Sequence, residues 1–88
     1  MQNFEKRDLK ALAHHLNPVV IIGSKGLTNA VIEETNQALL AHELIKVKVN
    51  ADDKVARKNM AIALCDSLDA NFIQLIGNIA VIYRKNIS

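Results

Sequence analysis

Apolar and polar positions fall into blocks whose spacing switches between helical and strand-like along the chain. Leu9, Leu12, Ala13 and Leu16 recur at helical spacing within a first helix from about Lys6 to Leu16. Lys6, Arg7, Lys10 and His14 gather on a different face of that helix. Asn17-Pro18 stops it, because the residue before a proline is pushed out of helical geometry. Val19–Ile22 follows as an unbroken apolar run between Pro18 and Gly23, which suits a short, fully buried strand.

A second helix starts after the glycines, capped by Thr28 or Asn29, with Val31, Ile32, Thr35, Ala38 and Leu39 as its buried face. Leu44–Val49 then alternates with period two, so Ile45, Val47 and Val49 face inward and Lys46 and Lys48 face the other side. Asp52 and Asp53 open a third helix, where carboxylates suit the positive end of the dipole. That helix reaches about Leu68, with Met60, Ala61, Leu64 and Leu68 along its core stripe. Phe72–Ile76 and Ile79–Tyr83 read as strands joined by Gly77-Asn78, a two-residue hairpin turn.

The order α-β-α-β-α-β-β makes this an α/β chain forming a single domain over residues 1–88. Helical crossovers of this length imply parallel pairing, whereas the final hairpin must be antiparallel. A four-stranded mixed sheet is therefore expected, with helices mainly on one face and the other face partly open. The pattern does not fix the order of the strands.

Composition narrows the classes of function. Half of the 88 residues are apolar and only one is proline, which excludes a disordered chain. No apolar run approaches the length of a membrane span, and the N-terminus lacks the layout of a secretory signal, so a cytoplasmic protein without a membrane partner is expected. Cys65 is the single cysteine, which rules out an intramolecular disulfide and any multi-cysteine metal site. Its apolar helical neighbours, Ala61–Leu64, mark it as a buried, inert thiol. The formal net charge of +2 is too small to identify a partner, so the placement of the basic residues carries more information.

One loop combines the features of a phosphate-binding site. Gly23-Ser24-Lys25-Gly26 joins a buried strand to the start of a helix. Glycines permit positive φ and close approach by another molecule, and the first amides of the helix point outward as donors. Lys25 adds a mobile positive charge. A glycine pair spaced in this way is also how KH domains clamp a nucleic-acid backbone. The loop lacks the Gly-Lys-Ser/Thr ending of a nucleotide P-loop and the third glycine of a dinucleotide fingerprint.

Further basic residues extend the loop: Lys6, Arg7 and Lys10 on the first helix, Lys46 and Lys48 on one strand face, and Arg84 and Lys85 after the last strand. Together with Lys25 they are expected to form a track for RNA phosphates. Lys54, Arg57 and Lys58 look like an ordinary exposed helix face. One tyrosine, two phenylalanines and no tryptophan cannot supply an aromatic platform for bases, so backbone contacts should dominate. His14, His15 and His42 have no metal-ligand spacing, and neither Glu33-Glu34 nor Asp52-Asp53 has an apolar setting that would tune a pKa. No catalytic constellation, metal or cofactor is expected.

At this level of detail a family resemblance emerges. The run from Leu12 to Thr28, reading LAHHLNPVVIIGSKGLT, resembles the signature of CRM-domain proteins, as do His42–Lys48, Ile76-Gly77 and Val81–Arg84 in the same order. The likeness extends from about Lys6 to Lys85, and the chain is most similar to the bacterial stand-alone, YhbY-type members. It implies a fold similar to the C-terminal domain of translation initiation factor three. It also implies binding to ribosomal RNA of large-subunit precursors during ribosome assembly, with Gly23, Ser24, Lys25 and Gly26 as RNA contacts and Lys6, Arg7 and Lys10 as the basic residues of the first helix. A monomer is expected, although the sequence itself does not fix the oligomeric state. The chain ends at Ser88, soon after the last strand, so the loop and first helix should carry more of the binding than a basic tail. The alternative is a protein-interaction module that docks on the ribosome through its open sheet face.

Overall fold

The computed structural model describes residues 5–86. Its elements run α1 (Lys6–Ala13), β1 (Pro18–Ile22), α2 (Asn29–His42), β2 (Leu44–Val49), α3 (Lys54–Leu68), β3 (Asn71–Ile76) and β4 (Ile79–Tyr83). The α/β order matches the expectation. α1 alone is shorter than its apolar stripe suggests. Its last turn tightens, with the amides of His14 and Leu16 donating to the carbonyls of Ala11 and Ala13, three residues back, before Pro18 opens β1.

The strands form one sheet in the order β1-β2-β4-β3. β1 and β2 pair in parallel across the α2 crossover, while β4 is antiparallel to both β2 and β3. The hairpin thus folds back so that β4 lies between β2 and β3. Ala80, Val81 and Ile82 are all buried, which a strand covered on both faces requires.

Two cores result, one on each face of the sheet. α2 and α3 cover one face, where Val20, Ile22, Ile45, Val47, Val49, Ala80 and Ile82 meet Leu39, Ala61, Leu64 and Cys65. Thr35, fully buried within α2, satisfies its hydroxyl by donating to the Val31 carbonyl at 2.7 Å. α1 covers part of the opposite face, where Leu9 and Ala13 pack on Ile73 and Val81, flanked by Leu16, Leu44 and Tyr83. Helices therefore lie mainly on one face, and α1 closes only part of the other. Leu12 leaves the predicted apolar stripe and is 48% exposed beside Val19, His42 and Leu44.

Side-chain alternation and register divide the α1 face into rows. Ile21, Lys48, Ile79 and Ile76 are successive cross-strand partners at the end of the sheet where β1 enters the glycine loop. Lys46, Val81 and Gln74 form the next row, and Leu44, Tyr83 and Asn71 the one furthest from the loop. α1 packs on the two further rows. The first row lies outside its contacts, and its outer members Ile21 and Ile76 are 57% and 58% exposed. β1 is therefore an edge strand buried on one face only, not the fully buried strand its apolar run suggested.

Candidate nucleic-acid interface

The segment after β1 closes as a tight turn, with the Gly26 amide donating to the Gly23 carbonyl at 3.0 Å. The amides of Ser24 and Lys25 lie outside that bond, and both side chains are exposed. The two glycines differ in kind. Gly26 has φ +71°, a left-handed conformation that L side chains rarely adopt, so the backbone itself requires glycine. Gly23 has no positive φ, and a Cβ built there meets nothing within 4 Å. Neither the conformation nor the packing of the chain requires glycine at position 23.

α2 begins directly after this turn. Thr28 caps it, its Oγ1 accepting from the Val31 amide at 3.1 Å, as the sequence suggested. The amides of Asn29 and Ala30 have no acceptor within the helix, and they open the positive end of its dipole at the loop. α3 starts at the same end of the sheet: the Asn50 amide donates to the Ile22 carbonyl at 3.0 Å, four residues before Lys54. Asp53 caps α3 through the Val55 amide.

This end is also braced. The Arg57 guanidinium donates to the Gly77 carbonyl at 3.1 Å and the Ala51 carbonyl at 2.8 Å, tying the β3–β4 turn to the β2–α3 loop. The Val49 amide reaches the Asn78 carbonyl at 2.7 Å. Arg57 is therefore a structural strut, whereas its sequence position resembled ordinary helix surface.

The basic residues separate into groups. Lys48 stands in the row next to the loop and Lys46 one row further, both half-buried on the face opposite α2 and α3. Lys6, Arg7 and Lys10 lie on α1, which covers the further part of that face. Lys6 is beside Asn71 and Tyr83, and Lys6 and Lys10 share a flank one turn apart, on the opposite side of α1 from Leu12.

Arg84 and Lys85 are not brought to the loop, which corrects the continuous track inferred from the sequence. The Arg84 amide bonds the Glu43 carbonyl, at the end of β2 remote from Asn50. The six residues of β2 put roughly 17 Å between those ends. The Arg84 guanidinium is committed as well, donating to the carbonyls of Leu68 at 3.0 Å and Asn36 at 3.3 Å, where it fastens α3 and α2 to the end of β4. Lys85 lies with Leu40, Leu68 and Asp69 at this remote end.

Two exposed residues beside Lys48 and Ile79 carry no local mark in the sequence. Ile21 and Ile76 sit on edge strands, and only the strand order sets them either side of Lys48 and Ile79. The hairpin turn signals that Ile76 faces Ile79, but no local signal places Ile79 against Lys48. Cys65 is buried, and that burial, assisted by the charge of Asp66, pushes its thiol from 9.0 up to about 12. Among the described residues, no three His, Cys, Asp or Glu side chains cluster as metal ligands, and no helix is long and apolar enough to cross a membrane.

Comparison with known proteins places this geometry in context. A protein named "RNA-binding protein" from Haemophilus influenzae is 48% identical over 82 residues, covering 93% of this chain and 83% of its own. A relative from Pseudomonas aeruginosa is 40% identical over 82 residues, with 93% and 79% coverage. The solution structure of a Staphylococcus aureus protein superposes with a TM-score of 0.78 at 37% identity, covering 94% of this chain and 86% of that one. Residues 1–84 match the profile of the CRS1 / YhbY (CRM) domain, and the chain belongs to that family.

Proposed function

We propose that this protein binds RNA through the Gly23–Gly26 turn, holding the sugar-phosphate backbone, and acts on ribosomal RNA in precursors of the large ribosomal subunit during ribosome assembly. The observation that carries the reading is Gly23, a glycine that the fold itself does not need. Its bare Cα leaves space around the turn for a second molecule, next to the Ser24 and Lys25 amides, the head of α2 and the exposed Lys25. Lys46 and Lys48 continue the positive surface over the sheet, and Lys6, Arg7 and Lys10 extend it along α1. The name of the Haemophilus influenzae relative supports RNA as the ligand, and the CRM family resemblance supports the ribosomal assignment. The protein acts as a binding protein, not as an enzyme, in the cytoplasm, as a monomer.

Binding of a ribosomal RNA fragment, titrated with salt, tests the reading. Affinity should fall steeply with ionic strength, and Lys25→Ala should lower the slope of log K against log salt by about 0.7, the share of one phosphate on a single strand. An unchanged slope and affinity in Lys25→Ala and Gly23→Ala would refute the loop as the contact. Crosslinking in cells then tests the finer claim: a clustered footprint on large-subunit RNA supports it, and a diffuse one removes it.

The exposed Ile21 and Ile76 favour a second reading, docking on a protein of the ribosome through the sheet face. Gradient sedimentation after mild RNase treatment separates the two. Release of the protein while subunit proteins remain attached supports direct RNA contact.

A further inference from the structure

The loop-end row of the sheet has a composition that backbone binding leaves unexplained. Ile21, Lys48, Ile79 and Ile76 stand side by side across all four strands, on the face that α1 leaves open. With neighbouring strands about 4.8 Å apart, the row is about 14 Å long. Its two outer isoleucines are more than half exposed. Ile21 is two residues before Gly23, at the end of β1, so the row begins where the turn begins. The Arg57 strut fixes the Gly77 turn against Ala51 and so holds the Ile76 and Ile79 side of the row in register with the loop side.

We propose that this row is the seat for the bases of the single-stranded RNA whose backbone the glycine turn holds. The platform is aliphatic, with a lysine at its centre. The proposal rests on the reading of the loop as an RNA contact and adds where the bases go. Every base has a flat face, and burying that face on exposed isoleucine carbon removes apolar area from water without needing an aromatic ring. The charge pattern selects the occupant. Lys48 at the centre and Lys46 one row behind leave this part of the face positive, and the register brings no carboxylate into either row. Asp52 and Asp53 belong to the cap of α3 on the other layer. Lysine is depleted from the cores of protein–protein interfaces, so a lysine in the middle of the apolar strip fits a polyanion better than a protein. Because every base has an apolar face, such a seat discriminates little between sequences.

The test compares two RNAs on the intact protein: a single-stranded ribo-oligonucleotide of mixed sequence and an abasic oligomer of the same length that keeps the ribose-phosphate backbone. The variant is Ile21→Thr with Ile76→Thr, which keeps the β-branched side chains that strands favour, and Ile21→Ala with Ile76→Ala serves as a second pair. Circular dichroism confirms that each remains folded. The parent should bind the base-bearing RNA more tightly than the abasic one. Both double variants should lose about tenfold on the base-bearing RNA, the effect of roughly 50–60 Å² less buried apolar area, and nothing on the abasic RNA. Unchanged binding to both by the double variants overturns the base seat and leaves the row to a protein partner. Equal loss on both RNAs also overturns it, since the row would then act on the backbone. If Gly23→Ala and Lys25→Glu leave both affinities unchanged, the loop reading fails first, and the double variants still report on the row separately.

Discussion

Substituting alanine at the two loop glycines should separate binding from stability. At Gly26 the backbone holds φ at +71°, where an L residue is strained by about 1–2 kcal/mol. Gly26→Ala should therefore lower the melting temperature by roughly 4–16 °C, at about 4–8 °C per kcal/mol for a domain of this size. Gly23 has no positive φ and 4 Å of clear space around a new Cβ. The methyl group costs nothing in the folded chain and restricts the unfolded one, so Gly23→Ala should be neutral or stabilising by about 0.4–1 kcal/mol. Its effect falls on the ligand. A methyl at the mouth of the turn keeps a phosphate from the outward amides, and losing one charge-assisted hydrogen bond of about 1.5 kcal/mol weakens binding about tenfold. Thermal unfolding and fluorescence anisotropy with a labelled RNA measure both quantities on one preparation. The expected result is a protein that is at least as stable as the parent yet binds about tenfold more weakly. A Gly23→Ala variant that melts several degrees lower would show that the turn needs this glycine for its own sake. One that binds like the parent would remove the close approach from the mechanism.

Three further outcomes follow from other contacts. Arg84→Ala should cost about 2 kcal/mol, because the guanidinium bonds to Leu68 and Asn36 are charge-assisted, while RNA affinity per folded molecule stays unchanged; urea unfolding with anisotropy checks both, and a large affinity loss would return Arg84 to the interface. Arg57→Ala should cost about 1–2 kcal/mol and speed amide hydrogen exchange around the Gly77 turn; unchanged exchange there would mean that the strut does not hold the hairpin. The Cys65 thiol is raised from 9.0 to about 12 in the folded chain, so its contribution to stability is intact below about pH 9 and is lost as pH rises towards 12. Between pH 8 and 10.5 the parent should accordingly lose more stability than Cys65→Ala in paired urea titrations, and equal losses would refute the buried, neutral thiol.

Periodicity alone identified the order of elements, because the helical stripe and the strand alternation are each properties of a few neighbouring residues. Thr28 as a cap, the Gly77-Asn78 turn, the inward faces of Leu44–Val49 and the burial of Cys65 are of this local kind. α1 ends before its apolar stripe does, because Leu16 continues the stripe while the chain leaves the α-helix three residues earlier. Strand order was not legible, because Val19–Ile22 and Ile79–Ile82 are equally free of polar residues, yet the first lies on an edge with Val19 and Ile21 exposed and the second is central and buried.

The sequence by itself determined the α/β class, the core stripes, the position of the glycine turn between strand and helix, and the family resemblance. Each depends on residue type at fixed short spacing. Tertiary structure decided which basic residues stand together. Lys25 and Lys48 share one end of the sheet, while Arg84 is carried a strand length away and committed to backbone carbonyls. It also decided that Ile21 and Ile76, fifty-five positions apart, flank the same lysine-centred row, because β4 inserts between β2 and β3. Proximity of that kind follows from strand order and register, which are set by how the two faces bury their apolar area together and leave no mark on any single segment.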